Sequence, residues 1–180
     1  MMEQVVLVNE LDQEIGLMEK MEAHEKALLH RAFSVFVFND AGELLLQQRA
    51  FEKYHSGGLW TNTCCSHPRP NEAVLDAANR RLVEEMGFST PLEKVFDFIY
   101  QAEFSNGLTE HEFDHVFIGQ YNGAIVPDPN EVHAYEYRTM ESIQASLDAK
   151  EGLFTAWFEI IFPKMMDWWK NQNSRNLAAN

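Results

Sequence analysis

Hydrophobic and polar positions along this chain change period several times, and each change marks an element. Residues 31–38, Arg-Ala-Phe-Ser-Val-Phe-Val-Phe, are rich in aromatic and β-branched types and predict a strand. Asn39-Asp40-Ala41-Gly42 supplies a turn, and residues 43–49 return as a second strand, giving a hairpin. Residues 54–71, with Gly57-Gly58, Pro68 and Pro70, read as irregular. A helix is expected from about residue 72 to 86, with Asn71 as N-cap and Gly87 as its stop. Its apolar positions Leu75, Ala78, Leu82 and Met86 follow helical spacing. Strands are expected near residues 95–101, 113–121 and 133–138, and a short helix near 141–150. The tail from 154 to 169 is dense in apolar and aromatic residues, with Pro163 expected to bend or divide a helix. Lys164 and Asp167 interrupt that tail, which favours core packing over membrane contact. Hairpins with few helices fit an α+β sandwich, a mixed β-sheet core flanked by helices.

Composition narrows the classes. The 180 residues, 46% of them hydrophobic, fit a single packed domain spanning 1–180. There is no internal repeat or low-complexity tract, and no apolar run approaches the roughly 18–20 residues of a membrane span. The N-terminal Met1-Met2-Glu3-Gln4 lacks the basic flank and apolar stretch of a secretory signal. A formal net charge of −14 argues against nucleic acid, because phosphate backbones reward clustered Lys and Arg. A small anionic substrate is compatible if a local basic cluster or a bound cation reverses the field. The two cysteines, Cys64 and Cys65, are adjacent, so a disulfide between them would be strained. Free thiols in a cytoplasmic protein are expected, and the oligomeric state is left open.

The most specific local pattern lies at 66–88. Glu72, seven residues, then Arg80-Arg81-Leu82-Val83-Glu84-Glu85-Met86-Gly87-Phe88 resembles the signature box of the Nudix superfamily in every spacing. Arg81 and Glu85 are four apart and share a helix face. A carboxylate there can hold a hard divalent cation that bridges to phosphate oxygens, while an Arg grips the same anion bidentately. Two positions depart from the pattern. Ser66 stands at the opening Gly, and Arg81 replaces the first Glu of the Arg-Glu step. Trading that metal-gathering carboxylate for a cation favours holding a diphosphate over cleaving it.

Three further strings flank the box: Trp60-Thr61-Asn62-Thr63-Cys64-Cys65-Ser66-His67-Pro68, the segment His24 to Phe33, and Glu110-His111-Glu112. With them the chain resembles the type I isopentenyl diphosphate isomerases, a Nudix branch, from about residue 6 to 169. The resemblance implies that His24, His30, His67, Glu110 and Glu112 hold one metal, for which Mn²⁺, Mg²⁺ or Zn²⁺ all suit the donors. On an extended segment Glu110 and Glu112 point to one face. It implies a second Mg²⁺ on the substrate diphosphate, with Glu85 its ligand. Cys65 on one side of the carbon skeleton and Glu112, aided by Tyr100, on the other are the implied acid–base pair, and Trp157 the aromatic against a tertiary carbocation. Lys20, Arg49, Lys53 and Arg81 are the implied diphosphate grip. Cys64 is expected to pack as a small apolar residue, and His55, His111, His115 and His133 match no site position and are read as structural. A Nudix pyrophosphohydrolase, or an idle binding protein of that fold, is the alternative.

Overall fold

Strand β3, His30–Phe38, is the element around which the rest is arranged. The structure, a computed structural model, describes residues 3–53 and 55–178. Two strands and a helical turn precede β3: β1 (Gln4–Val8), β2 (Glu14–Glu19) and α1 (Lys20–Glu25). After it come β4 (Leu44–Arg49), β5 (Trp60–Thr61), β6 (Cys64–Ser66) and α2 (Val74–Met86). The second half contributes β7 (Glu93–Glu103), β8 (Thr109–Gln120), β9 (Val132–Arg138), α3 (Met140–Asp148) and α4 (Ala156–Ala178).

Along one edge β3 pairs in parallel with β8 through its whole length, from His30↔Glu112 to Phe38↔Gln120. Its other edge is shared by β1 at His30, β6 from Phe33 to Val35, and β4 at Phe38 alone. The turn at residues 39–43 and the antiparallel pairing it sets up are both present, but the hairpin is minimal: β3 and β4 splay apart after one pair, and β4 continues alongside β9 and β5. β7 closes the far side on β8.

The uninterrupted apolar run of β3 follows from burial on both faces. Phe33, Val35 and Val37 pack against Ala77, Ala78, Leu82 and Met86 of α2. Phe36 points the other way, into a cluster with Phe158, Ile161, Phe162 and Met165 of α4 and Met140 and Ile143 of α3. Each such fully buried side chain contributes roughly 1.5–3 kcal/mol. The aromatic tail is thus core, and no described helix is long and apolar enough to cross a membrane.

Three helix details differ from expectation. α2 starts at Val74 with Ala73 as its cap, because Asn71 adopts φ 62 in the preceding turn and supplies no cap. Leu75, expected on the apolar stripe, is 42% exposed, since only the 77–78, 82 and 85–86 positions face the sheet. Pro163 does not divide α4. It lies on the solvent face with Glu159, so water can satisfy the carbonyl that the missing N–H abandons. Gly87 does end α2, at φ 74, with its N–H on the Val83 carbonyl.

Candidate active site

Strand alternation does much of the assembly. On β6, Cys64 points into the α2-side core and is fully buried, whereas Cys65 turns to the opposite face and packs with Tyr100 and Trp157. On β8, Glu110 and Glu112 share one face, and Tyr100 of β7 is the cross-strand partner of Glu112. Parallel pairing sets His30 directly beside Glu112. Residue His67 follows β6, and α1 folds back so that His24 is 1% exposed.

His24, His30, His67 and Glu112 offer ligand atoms that all lie within 4.8 Å of one another. The hydrogen bonds suit a cation at their centre. His30 Nδ1 sits 2.7 Å from the Leu28 carbonyl, which leaves Nε2 to face inward, 3.2 Å from His67 Nε2. Such an outer bond is how proteins fix the tautomer of a metal-binding His. Both ring nitrogens of His24 and Nδ1 of His67 are buried without a hydrogen-bond partner, a costly state that metal ligation relieves for inward-facing nitrogens. Burial, reinforced by His67 and His30, lowers the His24 pKa to about 3, and burial likewise lowers that of His67. Both rings are therefore neutral, as ligands must be. Burial alone would raise Glu112, but bonds from His30 and His67 (2.9 Å to His67 Nε2) hold it well below the carboxylate range.

Glu110 stands beside this quartet rather than within it. The Tyr100 hydroxyl ties the two carboxyls together, 2.6 Å from Glu112 and 3.1 Å from Glu110. Burial and the Glu112 charge raise Glu110 well above its ordinary value, so Glu110 keeps a proton and Glu112 stays ionised. Burial also raises Tyr100 and Cys65, which keeps both protonated.

Cys65, His67, Tyr100, Glu110 and Glu112 line a cavity of about 70 Å³, together with Trp157, Lys20, Arg49, Lys53, Arg81 and Glu85. Arg81 bonds Glu85 at 2.6 Å, and Gln47 holds the other Glu85 oxygen at 2.8 Å. Arg49 lies over the Trp157 ring, 5.0 Å from its centroid. The four predicted cations and the predicted acid–base residues thus meet in one place.

Sequence reasoning gave no site role to five of the cavity residues, Ser66 of β6 among them. Ser34 donates to the buried Asp114 at 2.7 Å, Gln47 orients Glu85, and Glu131 pairs with Lys53 and, at 3.5 Å, with Arg81. His55, read as structural, also lines the cavity; its place on the loop from Arg49 to Trp60, two residues past Lys53, was the available signal. The other three histidines do stay outside it: His111 bonds the Ala27 carbonyl, His115 meets Asp12, and His133 contacts the Phe51 ring.

Comparison with known proteins adds an independent line. The NUDIX domain family matches residues 28–158. An isopentenyl-diphosphate Delta-isomerase of Pectobacterium atrosepticum is 49% identical over 175 residues, covering 96% of this chain and 98% of that protein. One from Burkholderia multivorans is 50% identical over 164 residues, covering 91% and 93%. A crystal structure from Deinococcus radiodurans, 19% identical, superposes with a TM-score of 0.75 over 90% of this chain and 98% of the other, a likeness of fold.

Proposed function

Because this chain belongs to the isopentenyl-diphosphate Delta-isomerase family of NUDIX-domain proteins, we propose the following account of how its side chains perform that family's reaction. The protein interconverts isopentenyl diphosphate and dimethylallyl diphosphate. The reaction adds a proton to the terminal alkene carbon and removes one from the carbon on the other side of the resulting cation. An acid and a base must therefore flank a flat five-carbon skeleton.

The observation that carries this account is that Cys65, Glu112, Tyr100 and Trp157 line the same small cavity as four basic side chains. Cys65 holds its proton while Glu112 is ionised, so the pair carries one proton between donor and acceptor. Direction of reaction decides which gives and which takes. A positioned proton donor contributes typically about 10²–10⁴-fold. Tyr100 steadies Glu112 as its charge changes. Trp157 offers a π-face to the tertiary cation, a contact worth about 2 kcal/mol when desolvated.

Lys20, Arg49, Lys53 and Arg81 hold the diphosphate, and Glu85, gripped by Arg81 and Gln47, would hold a Mg²⁺ accompanying it, whose charge would offset that of the phosphate oxygens. His24, His30, His67 and Glu112, with Glu110 adjacent, would hold the second metal, as Mn²⁺, Mg²⁺ or Zn²⁺. When bound, that ion supplies positive charge that stabilises ionised Glu112 and orders its surroundings.

Arg81 in place of a box carboxylate removes a metal ligand that hydrolysis would use. Incubation with isopentenyl diphosphate separates the two chemistries. Dimethylallyl diphosphate without phosphate release is expected; phosphate release without the allylic isomer would overturn the reading.

A further inference from the structure

His55 matched no site position in the sequence, yet it is 9% exposed on the wall of the cavity. Its ring stacks on Phe104, centroids 4.6 Å apart and planes 15° apart. The same ring meets Trp157 edge to face at 5.7 Å and 85°, and Phe104 meets Trp157 at 6.3 Å and 79°. Two parallel plates thus stand upright against the indole, and the three rings form a corner. The backbone of His55 is held by the same Arg49 that lies over Trp157, since Arg49 Nη2 donates to the His55 carbonyl at 3.2 Å. The His55 Nδ1 lies 3.2 Å from Ser56 Oγ, and its Nε2 lies 3.6 Å from Glu110 Oε1. The ring thus turns a flat face to Phe104 and an edge towards Trp157.

We propose that His55 is a positioning residue of the isomerisation: a planar wall that keeps the Trp157 ring upright and closes the reactive end of the cavity to water. The inference rests on the isomerase reading above. A tertiary cation in a wet cavity is lost, because water adds to it. The water oxygen forms a bond to the cationic carbon and then releases a proton, leaving a tertiary alcohol that still carries the diphosphate. A flat ring packed on Phe104 and Trp157 fills the space that such a water would need. Burial, followed by the nearby Arg49 charge, lowers the His55 pKa to about 3, which is consistent with a neutral ring.

The test compares His55→Ala and His55→Leu with His55→Phe in the full-length, metal-loaded protein, with thermal melts to establish that each is folded. Two readouts go beyond structural loss: the division of effect between kcat and KM, and the tertiary alcohol measured by mass spectrometry. The Ala and Leu variants should lose about tenfold in kcat with KM little changed, the size of a weakened cation–π contact, and release the alcohol. His55→Phe should restore the rate and suppress the alcohol. Absence of alcohol from both non-aromatic variants, or a Phe variant as slow as they are, would overturn the proposal. The second result would assign the effect to the imidazole nitrogen near Glu110. Wild-type protein that makes no isomer would instead sink the isomerase reading itself.

Discussion

Tyr100→Phe tests the carboxylate pair with little disturbance of the core. The phenyl ring keeps its stack on Phe98 at 5.6 Å and its place beside Ala102 and Trp157, so no cavity opens. What disappears is one hydroxyl, 2.6 Å from ionised Glu112 and 3.1 Å from Glu110. A hydrogen bond to a charged group is worth about 1.5–3 kcal/mol net. That bond fixes the carboxylate in the orientation proton transfer requires, and if its whole worth is spent on that orientation, each 1.36 kcal/mol is tenfold in rate. The expected loss in kcat is then about 10- to 150-fold. Initial rates of dimethylallyl diphosphate formation measure it, and metal content is determined on the same sample. A fully metal-loaded Tyr100→Phe protein that turns over at the wild-type rate would refute the role given to this hydroxyl.

Cys65→Ala should abolish turnover while diphosphate binding persists; Cys64→Ala should stay active and lose about 1 kcal/mol in urea unfolding. Dead Cys64→Ala enzyme would mean that the strand presents the other thiol. Exhaustive chelation should stop isomerisation, Mg²⁺ or Mn²⁺ should restore it, and His24→Gln should lower the bound metal measured by emission spectroscopy. In the chelated protein, His24 near 3 when folded against about 6.5 when unfolded means that the unfolded chain binds the extra proton between those values. Stability should therefore be greatest above pH 6.5 and decline as pH falls towards 3, with a shallower decline of Tm in His24→Gln. Gly87→Ala should cost more than about 1 kcal/mol, since φ is 74 there and an added Cβ would sit 2.1 Å from the Val126 carbonyl oxygen. A wild-type urea midpoint would contradict that.

Much of this architecture was legible where the signal is local. Ala78, Leu82, Met86 and Gly87 announce α2 because one helix face meets one core. The start of α2 was misplaced because Asn71, a good cap by type, is spent in a left-handed turn, while Glu72 accepts from the Arg69 N–H and clamps Arg80. β1, β2 and α1 gave no usable pattern: they are short, and no residue of β2 is fully buried. β5 and β6 span two and three residues inside a stretch that composition marks as loop. Pairing partners were the least accessible, since nothing near residue 30 says that its neighbour is residue 112. The same limit explains the site. Cavity residues in recognisable strings, such as Cys65 and Glu112, could be named from the sequence. Gln47, Glu131 and His55 acquire meaning only from what the fold sets opposite them.

The parallel β3–β8 ladder has a consequence for synthesis. Parallel strands cannot be joined by a tight turn, and here seventy residues of intervening chain, 39–108, must be made and folded away before the two strands meet. Three imidazoles therefore leave the ribosome early, whereas their carboxylate waits for this late, non-local step, the slow kind in folding. A nascent chain stalled before residue 109 would carry the reactive thiol and all four cations of the anion grip, yet lack the group that completes the proton couple. Chemical competence arrives only with topological closure.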